Sequence, residues 1–237
     1  MFAVGMGSTM RLPKAKSVDR QGRLFHVDRP LSSKGETRWA AGEFFEQAVA
    51  VASGGERLRT DATADICPDV RIAAGQFAES KCVGRTGAVI FYEGRFLKDR
   101  AFMAATGHEI VYWFWRHDYA VLKAESYDEL RQGLAGAAKV LVIVDPVTLA
   151  QSVEGKPVRV VNSAHTAEGG RLGYGNAAKG YGVGWTIRMT YFTERSISVT
   201  DRLKVRVYGH TLDVPVLVSR PEYARLITPQ MVQGELF

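Results

Sequence analysis

The stretch CPDVRIAAGQFAESKCV, residues 67–83, decides how the chain is read. Two short runs, ICPDVRI and QFAESKCV, flank Ala73-Ala74-Gly75, which predicts an antiparallel β-hairpin closing at Gly75. Side chains alternate along a strand, so Phe77, Glu79, Lys81 and Val83 share one face, and Ala78, Ser80 and Cys82 the other. Asp69 lies on the neighbouring strand, with nine residues between it and Glu79, and the hairpin brings it within reach. Two carboxylates and one ammonium then converge on one spot.

That grouping suits phosphodiester hydrolysis. Asp69 and Glu79, with the Ser80 backbone carbonyl, offer hard oxygens to Mg2+ or Mn2+. Such an ion polarises the phosphate and acidifies a bound water. Lys81 can orient or help deprotonate that water, or offset charge in the transition state. The plainer alternative is a solvated strand face with a local ion pair. Glu-x-Lys alone is expected roughly once in a chain of this length, and a Pro-Asp at a suitable distance upstream multiplies that by about 0.03.

In its C-P-D-V…E-S-K pattern the chain resembles the PD-(D/E)XK nucleases, a superfamily that includes restriction enzymes, junction resolvases and exonucleases. The resemblance covers about residues 37–145. It implies an α/β, restriction-endonuclease-like core with a central mixed β-sheet flanked by helices in the order α-β-β-α-β. It also implies an Mg2+- or Mn2+-dependent site built from Asp69, Glu79 and Lys81. Gly42 and Glu46 match a G-x-x-x-E spacing of the early helix, which makes Glu46 a supporting residue of the metal site. Some branches carry a basic residue in the following helix, a place Arg95 or Lys98 could fill. The implied reaction is hydrolysis of DNA, most simply duplex DNA cut by a restriction-type or structure-specific endonuclease. An exonuclease, an RNA-directed nuclease and a catalytically silent DNA-binding protein of the same fold are the alternatives. Since a duplex cutter needs two active sites, a homodimer is the corresponding expectation.

Outward from the hairpin, ETRWAAGEFFEQAVAVAS places Ala41, Phe44, Phe45, Ala48, Val49 and Ala52 on one helical stripe, stopped by Gly54-Gly55. On the other side, a helix is expected from about Ala88 to Ala105, weakened by Gly94, then the β-prone run EIVYWFW. Ser126 and Glu129 form a capping box that opens the helix SYDELRQGLAGAAK, which leads into the strand VLVIV. Strand, helix, strand in that order predicts a parallel βαβ unit. Trp113 and Trp115 alternate as core aromatics do.

A soft boundary falls near residue 150. Residues 1–36 read as a basic arm or lead-in, 37–150 as the core, and 151–237 as a basic β-rich region that could help hold substrate. Its glycine-rich stretch, Gly169–Trp185, fits no phosphate-binding fingerprint, but as a loop its Arg171 and Lys179 could grip a nucleic-acid backbone. Arg71 and Arg85 beside the hairpin are further candidate contacts. Asp65 could substitute for Asp69 but lacks the preceding proline.

The charge pattern agrees with this arrangement. Residues 1–40 carry eight Lys and Arg against Asp19, Asp28 and Glu36, and residues 155–237 carry eleven against six acidic residues. With a net charge of +6, the middle is mildly acidic, which suits a metal site bordered by phosphate-binding surface. The five histidines, scattered without a ligand spacing, read as structural. Apolar runs are too short for a bilayer span, and the N-terminus lacks a secretory pattern. Cys67 and Cys82 are expected as free thiols in a reducing cytoplasm.

Overall fold

Apolar residues at helical spacing make α1 (Lys34–Ser53), and its stripe from Ala41 through Phe44, Phe45, Ala48 and Val49 to Ala52 is buried throughout. Gly54 ends it in the left-handed region at φ 62°, and the Gly55 N–H bonds back to the Ala50 carbonyl at 2.9 Å. Gly55 is required sterically, since a Cβ there would lie 2.3 Å from the Arg71 carbonyl oxygen. A computed structural model of the chain describes residues 30–31, 34–58, 68–72, 75–83, 88–117, 123–153, 184–188 and 198–227.

The strands are β1 (Glu56–Arg57), β2 (Val70–Arg71), β3 (Phe77–Val83), β4 (Ala88–Tyr92), β5 (Ile110–His117), β6 (Ala138–Val144), β7 (Gly184–Arg188), β8 (Ser198–Val207) and β9 (His210–Val218). Between them run α2 (Glu93–Thr106), α3 (Tyr127–Ala137) and α4 (Pro146–Val153), and a 3-10 turn (Pro221–Leu226) follows β9. Seven strands form one mixed sheet in the order β1-β2-β3-β5-β6-β9-β8, while β4 and β7 pair separately as an antiparallel ribbon. The chain is thus α/β, with a mixed sheet flanked by helices.

The sheet has apolar cores on both faces, which is why β5 and β6 read as near-continuous apolar runs. On one face α1 and α3 pack on Ala78, Val111, Trp113, Trp115, Leu141 and Ile143. On the other, Val83, Tyr112, Phe114, Val142 and Val144 meet Phe96 of α2, Leu149 of α4 and Phe91 of β4. Trp113 and Trp115 share the first face, with Phe45 stacked on Trp115 at 5.2 Å.

The predicted hairpin is present: β2 and β3 pair antiparallel with Val70 opposite Ala78, and Gly75 adopts φ 78° at the turn. The Ser126 cap forms as well, with Glu129 reaching the residue before Ser126 rather than the cap's own N–H. Ser126 Oγ accepts from the Glu129 N–H at 3.2 Å, while the Glu129 carboxylate reaches the Glu125 N–H at 2.8 Å.

Two expectations are corrected. Residues 88–92 form β4, because Ala-Val-Ile-Phe-Tyr is β-prone and finds β7 as its partner, so the helix begins at Glu93. The unit from β5 through α3 to β6 is antiparallel, with His117 paired to Ala138. After the eleven residues of α3 the chain re-enters the sheet at the end where β5 leaves it, so β6 starts beside the end of β5. The parallel pairs are β3 with β5 and β6 with β9. The sheet is continuous across residue 150, since β9 docks on β6 and β8 closes the edge. The run SVTDRLKVRV makes one strand, β8. No helix among the described residues is long and apolar enough to cross a membrane.

Candidate active site

The β2–β3 register pairs Val70 with Ala78 and Arg71 with Phe77; extended by one and two steps it would set Asp69 opposite Glu79 and Pro68 opposite Ser80. Ile72 donates its N–H to the Gln76 carbonyl at 2.7 Å, so the pairs 72/76, 70/78 and 68/80 are those whose backbone groups face each other. Proline has no N–H to give. Pro68 therefore ends the ladder and leaves the Ser80 carbonyl without a donor from β2. The Ser80 N–H, on the same side of β3, is taken instead by Asp69 Oδ2 at 2.7 Å. Ser80 contributes through its backbone, because its Oγ lies on the α1 face, buried and unpartnered.

Glu79 is 1% exposed, and both its oxygens are engaged. Lys81 Nζ donates to Oε1, and Arg95 Nη2 of α2 donates to Oε2 at 2.7 Å. Arg95 also gives its Nε to Asp99 Oδ1 at 3.0 Å, and the Tyr112 hydroxyl from β5 donates to Asp99 Oδ2 at 3.2 Å. Glu79 and Asp99 are thus buried with Arg95 between β3, β5 and α2, while Asp69 and the partly exposed Lys81 border them.

The protonation of these groups follows from that crowding. Burial and the neighbouring Glu79, reinforced by Glu46, push the Asp69 carboxyl up to about 8, against the opposing pull of Lys81 and the Ser80 N–H. Burial and Glu79 likewise raise Asp99 to about 7. Burial alone would lower Lys81, but Glu79 and Asp69 outweigh it and hold the ammonium above its ordinary range. Held as an ammonium, Lys81 is a hydrogen-bond donor and a fixed positive charge here.

Of the residues expected from the sequence, Asp69, Glu79, Ser80 and Lys81 come together. Glu46 stands near enough to act on Asp69, yet its carboxylate is bound by Arg57 Nε of β1 at 2.8 Å, and Arg57 also holds Glu43 at 2.8 Å. Arg95, expected among nucleic-acid contacts, turns inward onto Glu79, with its side chain only 17% exposed. Lys98 is half-buried on α2, and Arg71 is exposed and paired with Glu56. Arg85, Arg171, Lys179 and the alternative Asp65 lie outside the described residues. Sequence reasoning missed Asp99, Tyr112 and Arg57. The i, i+4 spacing of Arg95 and Asp99 was the one available signal.

A second buried carboxylate is built differently. Asp145 is 1% exposed and accepts from the Thr148 N–H at 2.8 Å, Thr148 Oγ1 at 2.6 Å and Ser219 Oγ at 2.9 Å, with Arg220 beside it. Burial would raise its pKa, but these donors hold it below the usual carboxylate range. Its work is structural, capping α4 and tying it to the end of β9.

Among the described residues no three His, Cys, Asp or Glu side chains gather closely enough to hold a metal. Two carboxylates and a backbone carbonyl do gather: Asp69, Glu79 and the Ser80 oxygen that Pro68 leaves without a donor. These are hard oxygen donors, and Asp69 is raised first by burial and then by the neighbouring Glu79, a carboxylate pair of the kind a divalent cation binds. Known protein families, curated proteins and solved structures contain no match to this chain.

Proposed function

We propose that the chain is a divalent-metal-dependent deoxyribonuclease of the PD-(D/E)XK type, with a restriction-endonuclease-like core centred on β2, β3 and β5. The observation that carries this reading is the Asp69–Ser80 contact, which sets two carboxylates and a carbonyl that receives no N–H from Pro68 together at the end of β2, beside Lys81. Asp69, Glu79 and the Ser80 carbonyl would hold Mg2+ or Mn2+. When bound, the ion supplies Lewis-acid activation of the phosphate and of an attacking water.

The chain's own groups do the rest. Asp69 and Glu79, by holding the cation, would set where the reacting phosphate lies. Lys81, kept protonated by its two carboxylate neighbours, donates to the attacking water or to a phosphate oxygen and offsets the negative charge that builds there. Glu46, steadied by Arg57, adds negative potential from α1.

Substrate would lie on the face of the sheet that carries Glu79. Leu203, Val205 and Val207 of β8 are buried against the α1 side, so Arg202, Lys204 and Arg206 stand exposed on the opposite face, the one that carries the site. A row of cations at every second residue suits backbone phosphates. Duplex cutting by such a site calls for a homodimer, with one site per strand.

The test is cleavage of plasmid and linear DNA, and of RNA in parallel, with Mg2+, Mn2+ or EDTA. The parent is expected to cut DNA only with metal, and Asp69→Ala and Lys81→Ala to lose at least a hundredfold in rate. DNA binding without cleavage of any substrate would instead identify a silent binding protein, and cleavage confined to RNA would move the substrate class.

A further inference from the structure

A single guanidinium stands between two buried carboxylates at this site. Arg95 reaches Glu79 Oε2 at 2.7 Å with one nitrogen and Asp99 Oδ1 at 3.0 Å with another. The side chains of Glu79 and Asp99 are 2% and 4% exposed. Asp99 is fixed in turn by the Tyr112 hydroxyl at 3.2 Å, from the β5 residue paired in register with Glu79. With Lys81 on Oε1, each oxygen of Glu79 already carries a cation, so a divalent ion has to share an oxygen with one of them or displace it. Lys81 is carried on β3 itself, two residues from Glu79, whereas Arg95 belongs to α2 and has a second carboxylate to retire to.

We propose that Arg95 is a latch on the metal site: in the cation-free protein it occupies the Glu79 oxygen that a divalent ion would take, and Asp99 receives it when the ion enters. Arg95 and Asp99 are positioning residues here, acting through Glu79. The inference rests on the reading of Asp69 and Glu79 as a divalent-cation site.

The latch makes two substitutions act with opposite sign. Arg95→Gln removes the competing cation, so the ion meets a freer Glu79. Asp99→Asn removes the receiver, so Arg95 stays on Glu79 and the ion has to displace it outright. A merely structural role for the pair predicts that both changes loosen the site, since outer-shell changes generally weaken metal sites by tenfold or more.

The measurement is Mn2+ affinity of the full chain by titration calorimetry and by electron paramagnetic resonance of free Mn2+. The parent is compared with Arg95→Gln, Asp99→Asn, Arg95→Lys and Asp69→Asn, with circular dichroism confirming that each is folded. The latch predicts that Arg95→Gln binds about tenfold tighter than the parent and Asp99→Asn several-fold weaker, with Arg95→Lys between Arg95→Gln and the parent. Equal or weaker binding by folded Arg95→Gln, with parent binding that Asp69→Asn abolishes, overturns the latch and leaves the metal site standing. Absence of Mn2+ binding in the parent and in every folded variant overturns the cation site and the latch together. Binding that appears only in Arg95→Gln supports both.

Discussion

Asp69 and Asp145 sit at the margins of one sheet with opposite electrostatics. Asp145 is surrounded by donors and stays ionised, whereas Asp69 has one N–H from Ser80 and faces Glu79. Only the second arrangement leaves demand for a cation. Its sign in stability is definite. An unfolded aspartate titrates near 3.9, whereas folded Asp69 titrates at about 8, so between about pH 4 and 8 the folded state keeps a proton that the unfolded state has released. Stability therefore falls as pH rises through this window, and below about pH 4 the contribution is constant. Asp99, at about 7, adds to the same slope. In EDTA the parent's melting temperature is expected to fall from pH 5 to 8, and Asp69→Asn to flatten that fall without abolishing it. Thermal melts across the range check this; a parent profile that is flat or rises would contradict the raised carboxyls.

Within the hairpin, the single residue that shapes the site through the backbone is Pro68. It stands where β2 would otherwise exchange two hydrogen bonds with Ser80, and its missing N–H stops the ladder one pair short. Pro68→Ala supplies that N–H and lets β2 close on the Ser80 carbonyl. The new hydrogen bond is worth about 1 kcal/mol. Losing proline's restriction of the unfolded chain costs about 0.4–1 kcal/mol, so net stability should barely move. Mn2+ affinity and DNA cleavage should each fall about tenfold, the scale of effects outside the direct ligands. Calorimetry alongside urea unfolding separates the two effects. Unchanged metal affinity would mean that the Ser80 carbonyl takes no part in binding.

At the scale of the whole molecule, the continuous sheet relates the site to the basic strand. β5, β6 and β9 lie between β3 and β8, which at about 4.8 Å per strand puts β8 about 19 Å across the sheet from β3, and the pairing sets Arg202 level with Val83, with Lys204 and Arg206 further along the strand and away from Glu79, on the same face. Asp213 partly neutralises Arg202 at 2.8 Å, while Lys204 and Arg206 project outward. Replacing all three by alanine is expected to weaken DNA binding equally for all sequences and to reduce the salt dependence of affinity by two to three phosphates' worth. Binding isotherms at several salt concentrations measure that slope. A slope identical to the parent's would remove β8 from the binding surface.

The hairpin, the α1 stripe, the two tryptophans and the Ser126 cap were legible in the sequence because each depends on local periodicity or on groups a few residues apart. The same holds for the meeting of Asp69, Glu79 and Lys81, which needs only strand alternation and a tight turn. Strand direction in the pair β5 and β6 was not legible, since helix length alone does not say whether the chain returns to the same end of the sheet. Nor was β4, whose Ala-Val-Ile-Phe-Tyr run becomes a strand by pairing with β7, nearly a hundred residues on. The inward turn of Arg95 onto Glu79 and Asp99, and the capture of Glu46 by Arg57, arise from packing α2 and β1 against the hairpin. A charged side chain's partner is settled by which carboxylate the fold leaves buried beside it, and that is a property of three dimensions.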